Sequence, residues 1–160
     1  MIFGITTFTL IHVVVSLVGL FAGFVVAGGL AAGKRLDGWT GVFLVTTAAT
    51  SITGFGFPVG AFLPSHAIGI LSLVVLAAVI VARYVKHLVG AWRGIYVLGA
   101  VVALYLNVFV LLAQLFRRIP ALIAAAPTQS EPPFLVTHLI VLALFVWVGR
   151  ATVKGFRLGA

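Results

Sequence analysis

The sequence predicts an all-α fold, a polytopic membrane protein built as a bundle of five transmembrane helices. Hydrophobic residues make up 63% of the 160 residues, charged residues only 8%, and the mean hydropathy is +1.32. Soluble domains contain about 45–50% apolar residues, so this chain needs lipid as its solvent. Spans of about 20 residues with short connections use up the whole length. We therefore expect residues 1–160 to form a single transmembrane domain.

Five apolar segments, separated by basic or Gly- and Pro-rich connections, define the spans. The first segment is long enough to cross the bilayer with some tilt. No Lys or Arg precedes it, which argues against a cleaved signal peptide. The second segment is the least hydrophobic, so a bundle of four spans is the alternative, with this segment lying along the interface or re-entering the membrane. The predicted spans are 8–32, 39–57, 65–84, 92–116 and 134–150.

Basic residues predict an orientation for these spans. Threading them alternately through a bilayer places Arg117 and Arg118 on one side and eight other Lys and Arg residues on the opposite side. Cytoplasmic loops collect Lys and Arg, so we expect the amino terminus outside and the carboxyl terminus in the cytoplasm of a bacterial-type inner (plasma) membrane. The net charge of +8 is spread over short loops, which argues against nucleic-acid binding. The eight residues are Lys34, Arg35, Arg83, Lys86, Arg93, Arg150, Lys154 and Arg157.

Small residues recur at a four-residue spacing in two of the spans. Gly19, Gly23 and Ala27 follow this spacing in the first span, and Gly99 and Ala103 follow it in the fourth. The spacing lets two helix backbones approach closely. We expect it to serve packing inside the bundle, with the interface of a homo-oligomer as the alternative.

Polar residues within the spans are the candidates for function, because they are costly in lipid. Counting about 1.5 Å per residue places His12, His66 and His138 in the outer part of the bilayer, on three different spans. Neutral imidazole can ligate haem iron, copper or zinc, and its second nitrogen can donate to a neighbouring oxygen. We therefore expect these histidines to hold haem b, a metal ion or a quinone in a redox role. The candidates for supporting this ligand or lining a pathway are Thr50, Ser51, Thr53, Asn107 and Gln114.

Each of these residues also has a purely structural interpretation. A lone intramembrane His commonly donates a hydrogen bond between helices, and Thr can bond back to carbonyls of its own helix. The apolar segment from Phe55 to His66 is expected either to fold as a lid over the outer helix ends or to rest among lipid headgroups. In architecture alone, the chain resembles bacterial multi-helix b-type cytochromes.

Several chemistries are disfavoured by the composition. The chain has no cysteine, so any haem is expected to be held non-covalently. The two acids, Asp37 and Glu131, fall on opposite sides of the predicted bundle, which leaves no carboxylate pair for hydrolysis. Two alternatives to a redox protein remain. One is a small transporter or channel lined by the Thr-rich second span with Asn107, and the other is a non-catalytic accessory subunit of a larger membrane complex.

Overall fold

The computed structural model describes residues 6–57 and 64–158, and their regular structure is entirely helical. A π-helical turn at Val81–Val85 directly extends the third helix. The predicted segments 8–32, 39–57, 65–84 and 92–116 correspond closely to the first four helices, whereas the last helix is longer than predicted. The helices are α1 Thr7–Ala31, α2 Asp37–Gly54, α3 Pro64–Ile80, α4 Ala91–Arg118, α5 Pro120–Ala125 and α6 Pro132–Leu158.

Helices α1 and α2 form an antiparallel hairpin. The Thr6 side chain caps α1 by accepting from the backbone N–H of Thr9 at 3.1 Å, and Gly33, with a φ of 71°, lies in the turn that follows. A Cβ added at Gly19 would lie 2.9 Å from the Thr46 hydroxyl, and one at Gly23 would lie 2.6 Å from a Leu104 methyl. The predicted packing role of these glycines inside the bundle is therefore confirmed.

Helices α3 and α4 form a second antiparallel pair. The π turn ends at a loop in which both His87 and Leu88 have a positive φ, and Leu88 is buried. A Cβ at Gly99 would lie only 2.5 Å from a Val79 methyl, so α3 and α4 approach closely where this glycine lies. The spacing of small residues in α4 thus also serves packing within the chain.

Helix α6 returns along α4 and α1. The connection before it folds against α4, where the Gln129 side chain donates to the Ala113 carbonyl at 2.7 Å. At the far end, Gly155 lies so close to α1 that an added Cβ would fall 1.9 Å from the Ala31 carbonyl oxygen. Backbone therefore packs against backbone at this crossing.

The core lies where α1, α2, α3 and α4 meet, and its centre is filled by Ala22, Phe43, Val79 and Leu104. Large apolar side chains such as Leu139 and Trp147 instead cover the outer surface, as lipid contact requires. Within residues 6–57 and 64–158, four helices are long and apolar enough to cross a membrane, namely α1, α3 with its π turn, α4 and α6. The mean hydropathy of α2 is too low for it to be one of these helices. By length and hydropathy the five-span count is therefore not confirmed, and the four-span alternative remains.

The antiparallel order gives the bundle two distinct ends. We call the end that carries Lys34, Arg83, Arg93 and Arg150 the basic end, and the end where α1 and α3 begin the cavity end. Phe55 and His66, which bound the predicted lid, lie at the cavity end, but residues 58–63 of this segment lie outside the described residues.

Candidate functional site

A partly enclosed cavity of about 420 Å³ lies at the cavity end, between α1, α2, α3 and α4. Apolar side chains such as Leu17, Leu106 and Leu111 form much of its wall. Arg117 and Arg118, at the end of α4, also line it. The cavity is therefore largely apolar, with hydrogen-bonding groups at defined points. Its uncharged polar lining residues are Thr9, His12, Ser16, Thr50, Ser51, His66, Ser72, Asn107 and Gln114.

His12 is held by Thr53 across the α1–α2 interface. The Nδ1 atom of His12 lies 2.8 Å from the Thr53 hydroxyl oxygen. That hydroxyl donates its own proton to the Ala49 carbonyl at 2.7 Å, so it accepts from His12 and Nδ1 carries the proton. The neutral ring then presents the lone pair of Nε2 as a hydrogen-bond acceptor or metal ligand.

Aromatic rings surround the two cavity histidines. The His66 ring is stacked on Phe55, with 5.4 Å between centroids and 14° between planes, and His12 meets the edge of Phe57 at 5.0 Å. Gly69 makes room for this arrangement, since a Cβ there would lie 3.3 Å from the Phe55 ring. His66 itself is buried, and its side chain has further interactions. The cavity thus offers flat aromatic surfaces beside its polar groups.

Helix α2 supplies the polar wall opposite α4. The Asn107 side-chain N–H donates to the hydroxyl of fully buried Thr47 at 3.0 Å, which fixes the amide at the edge of the cavity. On the α1 side, the Ser16 hydroxyl donates to the His12 carbonyl at 2.7 Å and lies 3.3 Å from the Thr50 hydroxyl. The predicted residues Thr50, Ser51, Asn107 and Gln114 all line the cavity, and Thr53 supports it through His12.

His138 lies apart from the other two histidines. Its Nδ1–H donates to the Phe134 carbonyl at 2.9 Å, and its ring packs 4.1 Å from Phe134 and 4.5 Å from Phe109. The buried Nε2 of His138 has no hydrogen-bond partner. His138 does not line the cavity, because its ring faces a different side of α4. Within residues 6–57 and 64–158, no three His, Asp or Glu side chains form a group that could hold a metal ion.

Ser72 is a cavity residue that the sequence did not single out. Its side chain is 3% exposed and lines the cavity, yet its hydroxyl oxygen has no hydrogen-bond partner among the described residues. A buried hydroxyl without a partner is uncommon and costs about 1–3 kcal/mol of desolvation. Ser72 lies three residues beyond Gly69 and six beyond His66, a spacing that places all three on one helix face and could have revealed it.

A second polar cluster lies at the basic end. Buried Arg83 forms an ion pair with Asp37 and donates from Nη1 to the Tyr96 hydroxyl at 2.9 Å. The Tyr96 hydroxyl lies 3.3 Å from that of Thr40, and the guanidinium lies 5.1 Å from the Tyr96 ring centre. The π turn at Val81–Val85 carries this arginine. The cluster joins α2, α3 and α4, so its arrangement indicates a structural role.

Comparison with known proteins gives no match to a family model, to a characterised protein or to a solved structure.

Proposed function

We propose that this chain is an integral membrane protein in which α2 crosses the bilayer as a fifth span. Contacts from Phe21–Trp39 to His12–Thr53 run along nearly the whole of α2, so α2 lies beside α1 over almost its full length. Its 18 residues extend about 27 Å, close to the roughly 30 Å of a hydrocarbon core. Its outer face carries exposed Val45 and Ile52, which suit lipid contact.

The orientation proposed from the charges is an outside amino terminus and a cytoplasmic basic end in the cell (inner) membrane. The excess of Lys and Arg at that end supports it. Because the native chain has no cysteine, single cysteines at Lys34 and at Thr128 can be labelled in intact cells with a membrane-impermeant maleimide. Labelling of T128C alone is expected, whereas labelling of K34C alone would reverse the orientation.

For the cavity, we propose that it binds a lipid-soluble quinone near the outer face. The observation that carries this proposal is the convergence of His12, His66 and the unpartnered Ser72 hydroxyl on one largely apolar cavity. A quinone has a flat ring and two carbonyl acceptors, and its reduced form has hydroxyl donors. Ser72 can donate to a carbonyl, and Nε2 of His12 can accept from a quinol hydroxyl. The stacked rings of Phe55 and His66 suit a planar ligand.

Haem b is a second candidate, supported by one specific feature. The Nδ1–H bond from His12 to Thr53 leaves Nε2 as the coordinating atom, which is the arrangement found for metal-ligating histidines. His66 would be the second residue to hold the haem, since both histidines line one cavity. Haem would supply one-electron chemistry there. A redox role for either ligand needs an electron partner, so an association with a larger membrane complex belongs to this proposal.

The packed interior of the bundle favours ligand binding over transport of a solute through the protein. Between the cavity and the basic end, the centre is filled by buried Phe43, Leu44 and Leu104. The transporter alternative would require this apolar layer to open.

The test compares two matched histidine variants in lipid nanodiscs. A benzoquinone with a ten-carbon tail is titrated calorimetrically into wild type, His12→Leu and His138→Leu. Loss of one hydrogen bond of about 1.5 kcal/mol weakens binding roughly tenfold, which we expect for His12→Leu. His138→Leu should bind within about twofold of wild type, because His138 does not line the cavity.

Two outcomes would contradict the quinone proposal. Either both variants bind like wild type, or the wild type takes up no more quinone than empty nanodiscs. Absorption spectra of the same samples, oxidised and dithionite-reduced, test haem separately. A Soret band lost in His12→Leu and His66→Leu but kept in His138→Leu would establish the haem alternative.

A further inference from the structure

A second concave surface runs along the lipid-facing side of α4 and α6, away from the cavity. It is an open groove of about 650 Å³ whose wall is almost wholly apolar. Only its end nearest the basic end carries charge, where the exposed side chains of Arg150 and Lys154 line it. We call this surface the α4–α6 groove, and its apolar wall includes Leu98, Val101, Leu142, Phe145, Gly149 and Val153.

Within the part of the chain that the structure describes, the two cations of the groove lack a counterion. Arg150 and Lys154 are four residues apart, so both point to the same face of α6. Of the two acids in the chain, Asp37 already pairs with Arg83 and lies near Arg35. Glu131 precedes α6, at the opposite end of the bundle. Among residues 6–57 and 64–158, no carboxylate therefore pairs with Arg150 or Lys154.

We propose that the α4–α6 groove binds one anionic phospholipid, with its phosphate between Arg150 and Lys154 and an acyl chain along the apolar wall. The charge complementarity supports this occupant, because basic pockets between helices bind anionic headgroups. The dimensions agree as well. From Leu142 to Lys154 the helix rises about 18 Å, close to the roughly 15 Å depth of one leaflet's hydrocarbon.

Gly149 keeps the middle of the groove open. It lies one residue before Arg150, and a Cβ added there would meet only Leu98 and Val101, each at 3.9 Å. A glycine at this point lets an acyl chain lie close to both helix backbones. A larger side chain would fill the space from the floor of the groove without altering its charge.

The test uses native mass spectrometry of delipidated protein, titrated separately with phosphatidylglycerol and phosphatidylcholine that carry identical acyl chains. We expect the first phosphatidylglycerol to bind about tenfold more tightly than phosphatidylcholine. The double variant Arg150→Gln/Lys154→Gln should lose this preference. The control Lys34→Gln/Arg35→Gln removes the same charge at the same end but outside the groove, and should keep it.

A third variant, Gly149→Leu, separates the acyl chain from the headgroup. It should weaken binding of both lipids while the preference for phosphatidylglycerol remains. The proposal is overturned if the double variant and its control behave alike, or if the wild type shows no preference. It is also overturned if the same spectra show a dimer that excludes lipid, since a second copy of the chain would then cover the groove.

Discussion

Buried polar side chains are hydrogen-bonded to one another at the basic end of the bundle, whereas at the cavity end they border open space. At the basic end, Arg83, Tyr96 and Thr40 are buried and linked to one another and to Asp37, with only the Nε atom of Arg83 left unpaired. At the cavity end, His12 and Ser72 instead border open space, and the Ser72 hydroxyl has no partner.

Helix α2 contributes to both ends, so residue type alone does not separate the two roles. Thr40 lies in a packed cluster, whereas Thr50, three turns further along, lines the cavity. Polar groups that lack a hydrogen-bond partner and border a cavity therefore indicate ligand binding. Polar groups that are fully hydrogen-bonded inside packed protein indicate a structural role.

The largest effect is expected from Gly155→Ala at the basic end. Its new Cβ would lie 1.9 Å from the Ala31 carbonyl oxygen, so α6 must move away from α1. We expect a loss of about 3 kcal/mol or more, at the upper end of overpacking effects. Thermal unfolding in detergent measures this loss of stability. The control is Gly149→Ala, whose nearest contacts, Leu98 and Val101, lie at an ordinary 3.9 Å from the new Cβ. Equal stability of both variants would contradict the close α1–α6 crossing.

The next effect tests the ion pair of the basic end. Asp37→Asn leaves the Arg83 guanidinium buried without its carboxylate. Breaking a fully buried pair costs about 3–5 kcal/mol, and we expect about 2 kcal/mol here because Asp37 itself is largely exposed. Arg35→Gln, which changes the other, more distant partner of Asp37, should lower the unfolding temperature far less. A double variant Asp37→Asn/Arg83→Met should recover stability, and failure to do so would assign the loss to Asp37 alone.

A smaller effect is expected in the cavity, where the substitution should weaken ligand binding and leave stability unchanged. Ser72→Ala removes a buried hydroxyl that has no partner, so stability should stay within about 0.5 kcal/mol of wild type or rise. Quinone binding should nevertheless weaken roughly fivefold, since one hydrogen bond contributes about 1 kcal/mol. The matched variant Ser16→Ala removes a hydroxyl that already bonds to the His12 carbonyl, and should affect binding less. A clear stability loss in Ser72→Ala would show that its hydroxyl has a structural partner.

The smallest effect concerns the connection before α6. Desolvation raises the pKa of Glu131, but hydrogen bonds from the Thr128 hydroxyl and from the N–H groups of Thr128, Ser130 and Glu131 together hold this pKa below its ordinary value of 4.5. Because the folded pKa is depressed, this contribution is fully present above pH 4.5 and is lost as the pH falls through the folded pKa.

Hydrogen exchange at the Thr128 and Ser130 amides should therefore accelerate only in acid, after correction for intrinsic rates. In Glu131→Gln the same amides should exchange faster already at pH 7. Protection that is unchanged by the substitution would show that Glu131 does not order this connection.

Sequence periodicity and depth predicted the helices but not how each helix is rotated about its axis. His12, His66 and His138 were expected at one level, yet His138 faces Phe109 and Phe134 while the other two line the cavity. Helix rotation follows from side-chain packing against neighbours, which a count of residues along the axis does not contain. For the same reason the position of Ser72 beside the cavity does not follow from such a count. Arg83, a basic residue at a predicted helix end, is likewise buried in the structure.

By itself the sequence determined that this chain is helical and apolar enough for a membrane, because composition and the length of its apolar segments decide which solvent it can fold in. Only the tertiary structure decided which face of α2 is buried. Its polar residues Thr47 and Ser51 face inward and its apolar Val45 and Ile52 face outward, so two of the residues that lower its mean hydropathy lie inside the bundle. The physical reason is that a polar side chain is satisfied by its contacts with neighbouring helices and not by average hydropathy, as the Thr47 hydroxyl is by accepting from Asn107.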